Sequence, residues 1–347
     1  MYIKRLLLII VFLGLIGGGL FAYMVYDTFF LPNTRFNNEE AFVYVPSDAD
    51  FSQVKRMLEP LLEDVEGFEA VAKRKLYINN VRPGKYRIAK GMNNNEMVNA
   101  LRTGNIPVKV SFNNQETLPL LAGRIASQIE ADSLSLLNAM KDRNFLQKKG
   151  LSSEAALGIY LPNSYELYWN TGAEEFRDRM LQEYNRFWNS ERQKKAQDIG
   201  LSPMQVTALA SIVHKETSKI EERPRVAGVY LNRLKRNMLL QADPTVIFAI
   251  KKESGNYDTV IKRVLYRDLA LDSPYNTYRY PGVPPGPIAM PDISAIEAVL
   301  NAEKHKYLYF VADVESFGYH KFAETLSQHN RNKVQYVRWI NGQNVNR

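Results

Sequence analysis

The strongest hydrophobic pattern in the chain is an uncharged run at residues 6–26, LLLIIVFLGLIGGGLFAYMVY. As a helix rising about 1.5 Å per residue, it covers about 31 Å, the depth of a bilayer core. Lys4 and Arg5 precede it, and Tyr23, Tyr26, Phe29 and Phe30 close it with an aromatic collar. Basic residues before the span and aromatic residues after it predict a single-pass anchor in an inner (cytoplasmic) membrane. Residues 1–5 then lie in the cytoplasm and the remainder in the periplasm or extracytoplasmic space. A cleaved signal peptide is the alternative, but its apolar core is shorter and ends in small residues that are missing here. Residues 27–40, with Pro32, Asn33, Asn37 and Asn38, read as a polar tether.

Beyond the tether the period shortens. Residues 41–46 (AFVYVP) alternate as a strand. Ser47 is placed to cap a helix starting near Ala49, whose Val54, Met57, Leu58 and Leu61 share a face. Residues 68–76 are weakly helical. RPGKYRI (82–88) reads as a turn and strand, 92–104 as a helix stopped by Gly104, and 106–112 as a second strand. Helical periodicity then dominates, over 117–130, 132–142, 176–189, 202–219 and 225–237. TVIF (245–248) reads as a strand, and the Pro-, Gly- and Tyr-rich stretch 273–291 as a rigid loop. A helix at 294–302, a strand at 307–313 and a final helix entered through 320–330 complete the pattern. The predicted class is α+β. It comprises a transmembrane helix, a small α+β domain over 41–112, and a larger mixed α/β domain with a helical part over 113–347.

Composition changes this picture in two places. The 347 residues contain no cysteine, which excludes disulfides, cysteine nucleophiles and thiolate metal sites. The 4 histidines lack the spacing of zinc proteases, so neither a metal nor another cofactor is expected. The formal charge of +8 favours an anionic partner without choosing one, and the scattered basic residues are equally those of a solvated surface. No nucleic-acid motif appears, and the topology points away from the cytoplasm, so nucleic acid is not an expected partner.

Residues 202–219 carry the candidate chemistry. Ser202-Pro203-Met204-Gln205 is a capping box with proline at the first helical position. At about 100° per residue, Glu216 falls beside Leu209 and Val213 at the rim of the apolar stripe, Lys215 points away and His214 sits on the flank. A desolvated carboxyl has a raised pKa, the property a general acid needs to protonate a glycosidic oxygen near neutrality. A pairing with Arg223, Arg225 or Arg233 explains the same position, and the helix alone does not choose.

Five blocks resemble one family. They are ASIVHKET (210–217), ERPRVAGVYLNRL (222–234), LQADPTVIFAI (240–250), SPYNTYRYPGVPPGPIAMP (273–291), and YLYFVAD with HKFAETLSQHN (307–330). Together they are similar to the YceG-like endolytic murein transglycosylases, the MltG family. The resemblance implies a lyase acting on peptidoglycan glycan strands. It would cut between N-acetylmuramic acid and N-acetylglucosamine, leave 1,6-anhydro ends and so terminate growing strands. It also implies partners in the cell-wall synthesis machinery, a LysM-like character for the 41–112 domain, and Glu216 as acid and base.

Two positions depart from the family pattern: His214 replaces the first acid of E-K-E-T, and Asn163 replaces the acid of Y-L-F-P-D-T-Y. Gln241, Asp243, Thr245, Tyr275, Asn276, Tyr278, His329 and Asn330 are candidate substrate-binding residues. Each also has a plainer reading as turn, loop or cap. Two rival functions remain: a non-catalytic peptidoglycan-binding scaffold, and a hydrolase pairing Glu216 with Asp243.

Overall fold

The computed structural model describes residues 2–342. Met1 and residues 343–347, assigned above to the cytoplasmic tip and the larger domain, lie outside the described residues. The chain forms two compact units. Among the described residues, the first takes 2–110 together with the short segments 128–131 and 165–172, and the second holds the others.

The first unit begins with α1 (Tyr2–Phe30), a 29-residue helix whose mean hydropathy reaches 2.5, long and apolar enough to cross a membrane. It runs past the predicted span and takes in the start of the predicted tether. The rest of that tether is fastened down. Asn33 is buried, its amide donates to Asp64 O (2.7 Å) and Asn94 Oδ1 (2.6 Å), and its backbone N–H donates to Met92 O (2.9 Å). Asn94 in turn donates to Thr28 O (2.8 Å) at the end of α1. Asparagine amides read as loop formers in sequence; here they satisfy backbone groups across the unit.

There follow β1 (Glu40–Val45), α2 (Phe51–Leu58), α3 (Val65–Arg74), β2 (Gly84–Ala89), α4 (Asn94–Thr103) and β3 (Pro107–Phe112). β1 and β2 form an antiparallel pair with Val43 opposite Tyr86. Their inward residues pack with Leu58, Phe68, Val71, Met97 and Leu101 into one core. The cap of α2 is Asp50, in a full capping box with Gln53. Ser47, the expected cap, instead donates to both carboxyl oxygens of Glu130 from its N–H and hydroxyl, at 2.6 Å each. In the 82–112 segment β2 meets the approach to β3 through an antiparallel bridge, Tyr86 to Asn105, with Ile106 N–H donating to Lys85 O (2.9 Å), and β3 itself pairs with β4 (Asn163–Tyr168).

The second unit is mainly helical: α5 (Leu118–Ala126), α6 (Ser133–Met140), α7 (Arg143–Lys148), α8 (Ala173–Phe187), α9 (Ser190–Asp198), α10 (Pro203–Glu216), α11 (Arg223–Lys235), α12 (Asp243–Ser254), α13 (Ile293–Leu300) and α14 (Leu326–Gly342). It also holds the antiparallel pair β5 (Tyr309–Ala312) and β6 (His320–Ala323). The protein is thus a mixed helix-and-sheet fold with an apolar N-terminal helix.

At the centre lies α10, which packs against α11, α12 and α13. Its start is the predicted capping box of Ser202 and Gln205. Residues 206–213 are all buried, so burial surrounds the helix instead of forming one stripe. Thr207 and Ser211 are tolerated there because their hydroxyls bond back to Pro203 O (3.0 Å) and Ala208 O (2.6 Å). The expected strand at TVIF is the first part of α12. Asp-Pro starts that helix, and buried Thr245, Phe248 and Ala249 recur at helical spacing.

Candidate active site

Glu216 is the last residue of α10. The helix stops three residues short of the predicted end because Thr217 turns extended (φ −139°, ψ 134°) and its hydroxyl accepts from Lys219 N at 3.1 Å. This leaves the Glu216 side chain half-buried at a helix terminus, with its carboxyl facing α11.

The partner it meets there is Tyr230, which is 1% exposed and donates its hydroxyl to Glu216 Oε1 at 2.6 Å. None of the arginines considered above pairs with Glu216. Arg223 bonds Asp292 (3.1 Å) and Ser294 (2.7 Å), and Arg225 bonds Glu303 (3.0 Å). Arg233 donates to the carbonyls of Leu308 (2.6 Å), Leu240 (2.7 Å) and Leu239 (3.2 Å). Among the described residues, no cation lies within ion-pair distance of Glu216.

The carboxyl is therefore desolvated without a counter-ion. Burial pushes its pKa up to about 7. The Tyr230 hydrogen bond and the charges of His320 and Arg233 pull it down, and the charge of Asp243 pushes it up. These groups face Glu216 from α11 (Tyr230, Arg233), the start of α12 (Asp243) and β6 (His320). Tyr278 adds a further hydroxyl from the 273–291 loop, where the charge of Glu216 is felt.

Asp243 and Tyr278 form a second tyrosine–carboxylate pair. Tyr278 donates to Asp243 Oδ1 at 2.6 Å, and burial, with the Asp243 charge, drives the Tyr278 pKa upward. Gln241 supports this pair from an unusual backbone position, φ 53°, which a non-glycine residue adopts at a cost. Its N–H bonds Thr277 O (3.1 Å), and its side-chain oxygen accepts from Arg233 (3.3 Å).

Thr245 is buried, and its hydroxyl meets Thr277 Oγ1 (2.8 Å) and Ala242 O (2.7 Å). It pins the loop to α12. Asn276 has the same character: fully enclosed, it donates to Leu269 O (3.0 Å) and Leu271 O (2.8 Å) and accepts from Tyr278 N (3.0 Å). Tyr275 is buried against Phe248, with ring centroids 4.7 Å apart. Glu216, Asp243 and Tyr278 are thus brought together with open polar surface, while Thr245, Tyr275 and Asn276 shape the loop behind them.

His329 and Asn330 sit on α14. His329 stacks on Tyr309 (5.3 Å, 22°) with its Nδ1 enclosed and unpartnered, and burial lowers its pKa. Asn330 is exposed. Neither bonds to Glu216, Asp243 or Tyr278. His214 lies away from the carboxyl pair, against Asp292 (3.1 Å) and Arg223 (3.2 Å), where burial lowers its pKa. Asn163 starts β4 and is exposed, with Oδ1 on Ser164 N (2.8 Å).

Sequence reasoning missed Tyr230 and Thr277, and it offered Arg233 only as an ion-pair partner of Glu216. Tyr230 lies in the block ERPRVAGVYLNRL, seven residues beyond Arg223, but nothing in that spacing names Glu216 as its neighbour.

Known proteins share this arrangement of chain. The model of the YceG-like family matches residues 43–335. The chain is similar to the endolytic murein transglycosylase of Bacillus subtilis (strain 168), 29% identical, with 93% of this chain and 91% of that protein covered. It is also similar to the protein of the same name from Streptococcus pneumoniae serotype 2, 28% identical, with 94% of this chain but only 64% of the relative covered. Among solved structures, a yceG-like protein from Listeria monocytogenes matches with a TM-score of 0.55 and 28% identity, covering 85% of this chain and 99% of that one.

Proposed function

Because the chain belongs to the YceG-like family, we propose that it is an endolytic murein transglycosylase with Glu216 as its acid and base, anchored in the inner membrane by α1. The observation that carries the site assignment is the Glu216 carboxyl itself: desolvated, bonded by Tyr230, without a counter-ion, and pushed to about 7.

Such a carboxyl keeps about half of its population protonated at neutral pH, and that fraction can act as an acid. Glu216 would pass its proton to the glycosidic oxygen between N-acetylmuramic acid and N-acetylglucosamine as the bond to the muramic C1 breaks. The C6 hydroxyl of the same muramic residue then bonds to C1, and the Glu216 carboxylate takes up the hydroxyl proton. The acid is regenerated and a 1,6-anhydro end is left. An ordinary glycosidase needs a second carboxylate to activate water or attack C1. Here the nucleophile is part of the substrate, and its high effective molarity replaces that group. Asp243 and Tyr278 would bind the sugar, the loop behind them setting their angle. Glycan binding by the 41–112 domain, and partners in the synthesis machinery, belong to the same proposal.

A product spectrum tests the reading. Purified peptidoglycan digested in heavy-oxygen water should give anhydro-ended fragments without label. Reducing ends carrying the label would establish a hydrolase in place of the lytic enzyme, and no cleavage would leave the scaffold.

The pH dependence follows from the same carboxyl. Activity should fall as pH rises through about 7, because the acid is lost. Tyr230→Phe removes a hydrogen bond that favours the carboxylate, so its falling limb should move to higher pH. An unmoved limb in Tyr230→Phe would show that the limb belongs to another group.

A further inference from the structure

The histidine of the H-x-F block, His320, has no role in the scheme above. We propose that His320 is a further substrate-contacting residue of the Glu216 site, oriented for that contact by Glu222. The proposal deepens the lytic reading and rests on it.

Glu222 is 5% exposed at the entry to α11, where an unpaired carboxylate would be costly. It takes two hydrogen bonds from one residue: His320 N–H reaches Oε1 at 2.8 Å and His320 Nδ1 meets Oε2 at 2.8 Å. Burial raises the Glu222 pKa, but these bonds and the His320 charge outweigh it, so the net direction is downward. An ionised oxygen at Nδ1 requires a proton there. That fixes the ring's orientation and leaves Nε2 as the outward atom.

Nε2 has no hydrogen-bond partner among the described residues, nor is it one of the enclosed unpartnered atoms. The side chain as a whole keeps 13% of its surface exposed, on a ring that is otherwise tied down. The ring packs edge-on against Phe310 (5.0 Å), Phe310 packs edge-on against Tyr230 (5.9 Å), and Tyr230 holds Glu216. His320 is close enough for its charge to act on the Glu216 carboxyl.

A carboxylate that sets the angle of an imidazole, leaving the far nitrogen for substrate, is a recurring arrangement in enzyme sites. The atom it would meet is a hydroxyl or acetamido oxygen of a sugar flanking the scissile bond. The competing explanation is a structural tie between β6 and α11.

Amide substitutions separate the two. Asparagine places a donor near Nδ1 and so preserves the tie, but it lacks Nε2. Glutamine reaches the Nε2 position and lacks the donor at Nδ1. In the full-length protein on purified peptidoglycan, His320→Asn should keep its melting temperature and lose about 30-fold or more in kcat/KM. His320→Gln should melt lower yet keep more activity. Glu222→Gln should also lower kcat/KM, but added to His320→Asn it should cost nothing more, because Glu222 acts through the ring.

Wild-type kcat/KM in His320→Asn, or losses that follow melting temperature in every variant, would overturn the proposal, as would additive losses in the double variant. If the wild type cleaves nothing, the lytic reading fails first. Strand retention by Glu216→Gln against Glu216→Gln/His320→Asn then still reads the contact: weaker retention in the double variant supports it, and equal retention refutes it.

Discussion

Glu216→Gln is expected to lower turnover by about 10²–10⁴-fold, the range general acid–base groups supply, while leaving the fold intact. Glutamine keeps the size of the side chain and still accepts the Tyr230 hydrogen bond, but it has no proton to give. The same substitution should be stabilising at high pH. A carboxyl whose folded pKa is raised from 4.5 to about 7 favours folding while it is protonated, below its unfolded value. That contribution is lost as pH climbs through the folded value. Melting curves of wild type and Glu216→Gln should therefore diverge between pH 5 and pH 8, in the variant's favour at the upper end. Turnover within a few-fold of wild type in Glu216→Gln would remove the residue from the mechanism.

The second large effect falls on stability. Arg233 is buried, and its guanidinium satisfies the carbonyls of Leu239, Leu240 and Leu308 as well as the Gln241 side chain. It thereby joins α11, the approach to Asp243 and the strand β5. Leucine at this position would leave three backbone oxygens without a donor. At about 1–3 kcal/mol for each of three unsatisfied buried groups, Arg233→Leu should cost on the order of 3–9 kcal/mol. For a chain of this size that lowers the melting temperature by about 4–12 °C. Lysine, with one ammonium in place of a fork, should recover only part of it. A melting temperature unchanged in Arg233→Leu would show that these carbonyls find other donors.

The contrast between Glu216 and its neighbours shows what a linear reading carries. The capping box at Ser202 and Gln205 is local chemistry, so the start of α10 was legible to the residue. The helical period put Glu216 at the rim of a single apolar stripe, whereas residues 206–213 are buried all round. The end of α10 was not legible, because Thr217 leaves the helix through a local turn that involves Lys219. The identity of the Glu216 partner depends on how α10 and α11 pack. Three arginines were plausible by charge; a tyrosine 14 residues away holds the position.

The same limit applies to Glu222 and His320, which are 98 residues apart and meet only through β6. TVIF misled for a different reason. Its β-branched residues favour a strand in isolation, but Asp-Pro ahead of them starts a helix, and packing on α10 holds it. The Asn-rich stretch after α1 read as a free tether because its composition is that of a loop. Asn33 and Asn94 use that same composition to fasten the chain.

The account turns on one carboxyl being protonated near neutrality because it is desolvated and lacks a counter-ion. The direct measurement is a carbon-13 NMR titration of the glutamate carboxyls, with the Glu216 resonance identified by its disappearance in Glu216→Gln. The resonance should titrate near 7 in the wild type and higher in Tyr230→Phe. A midpoint near the ordinary 4.5 in both proteins would contradict the assignment of Glu216 as the acid.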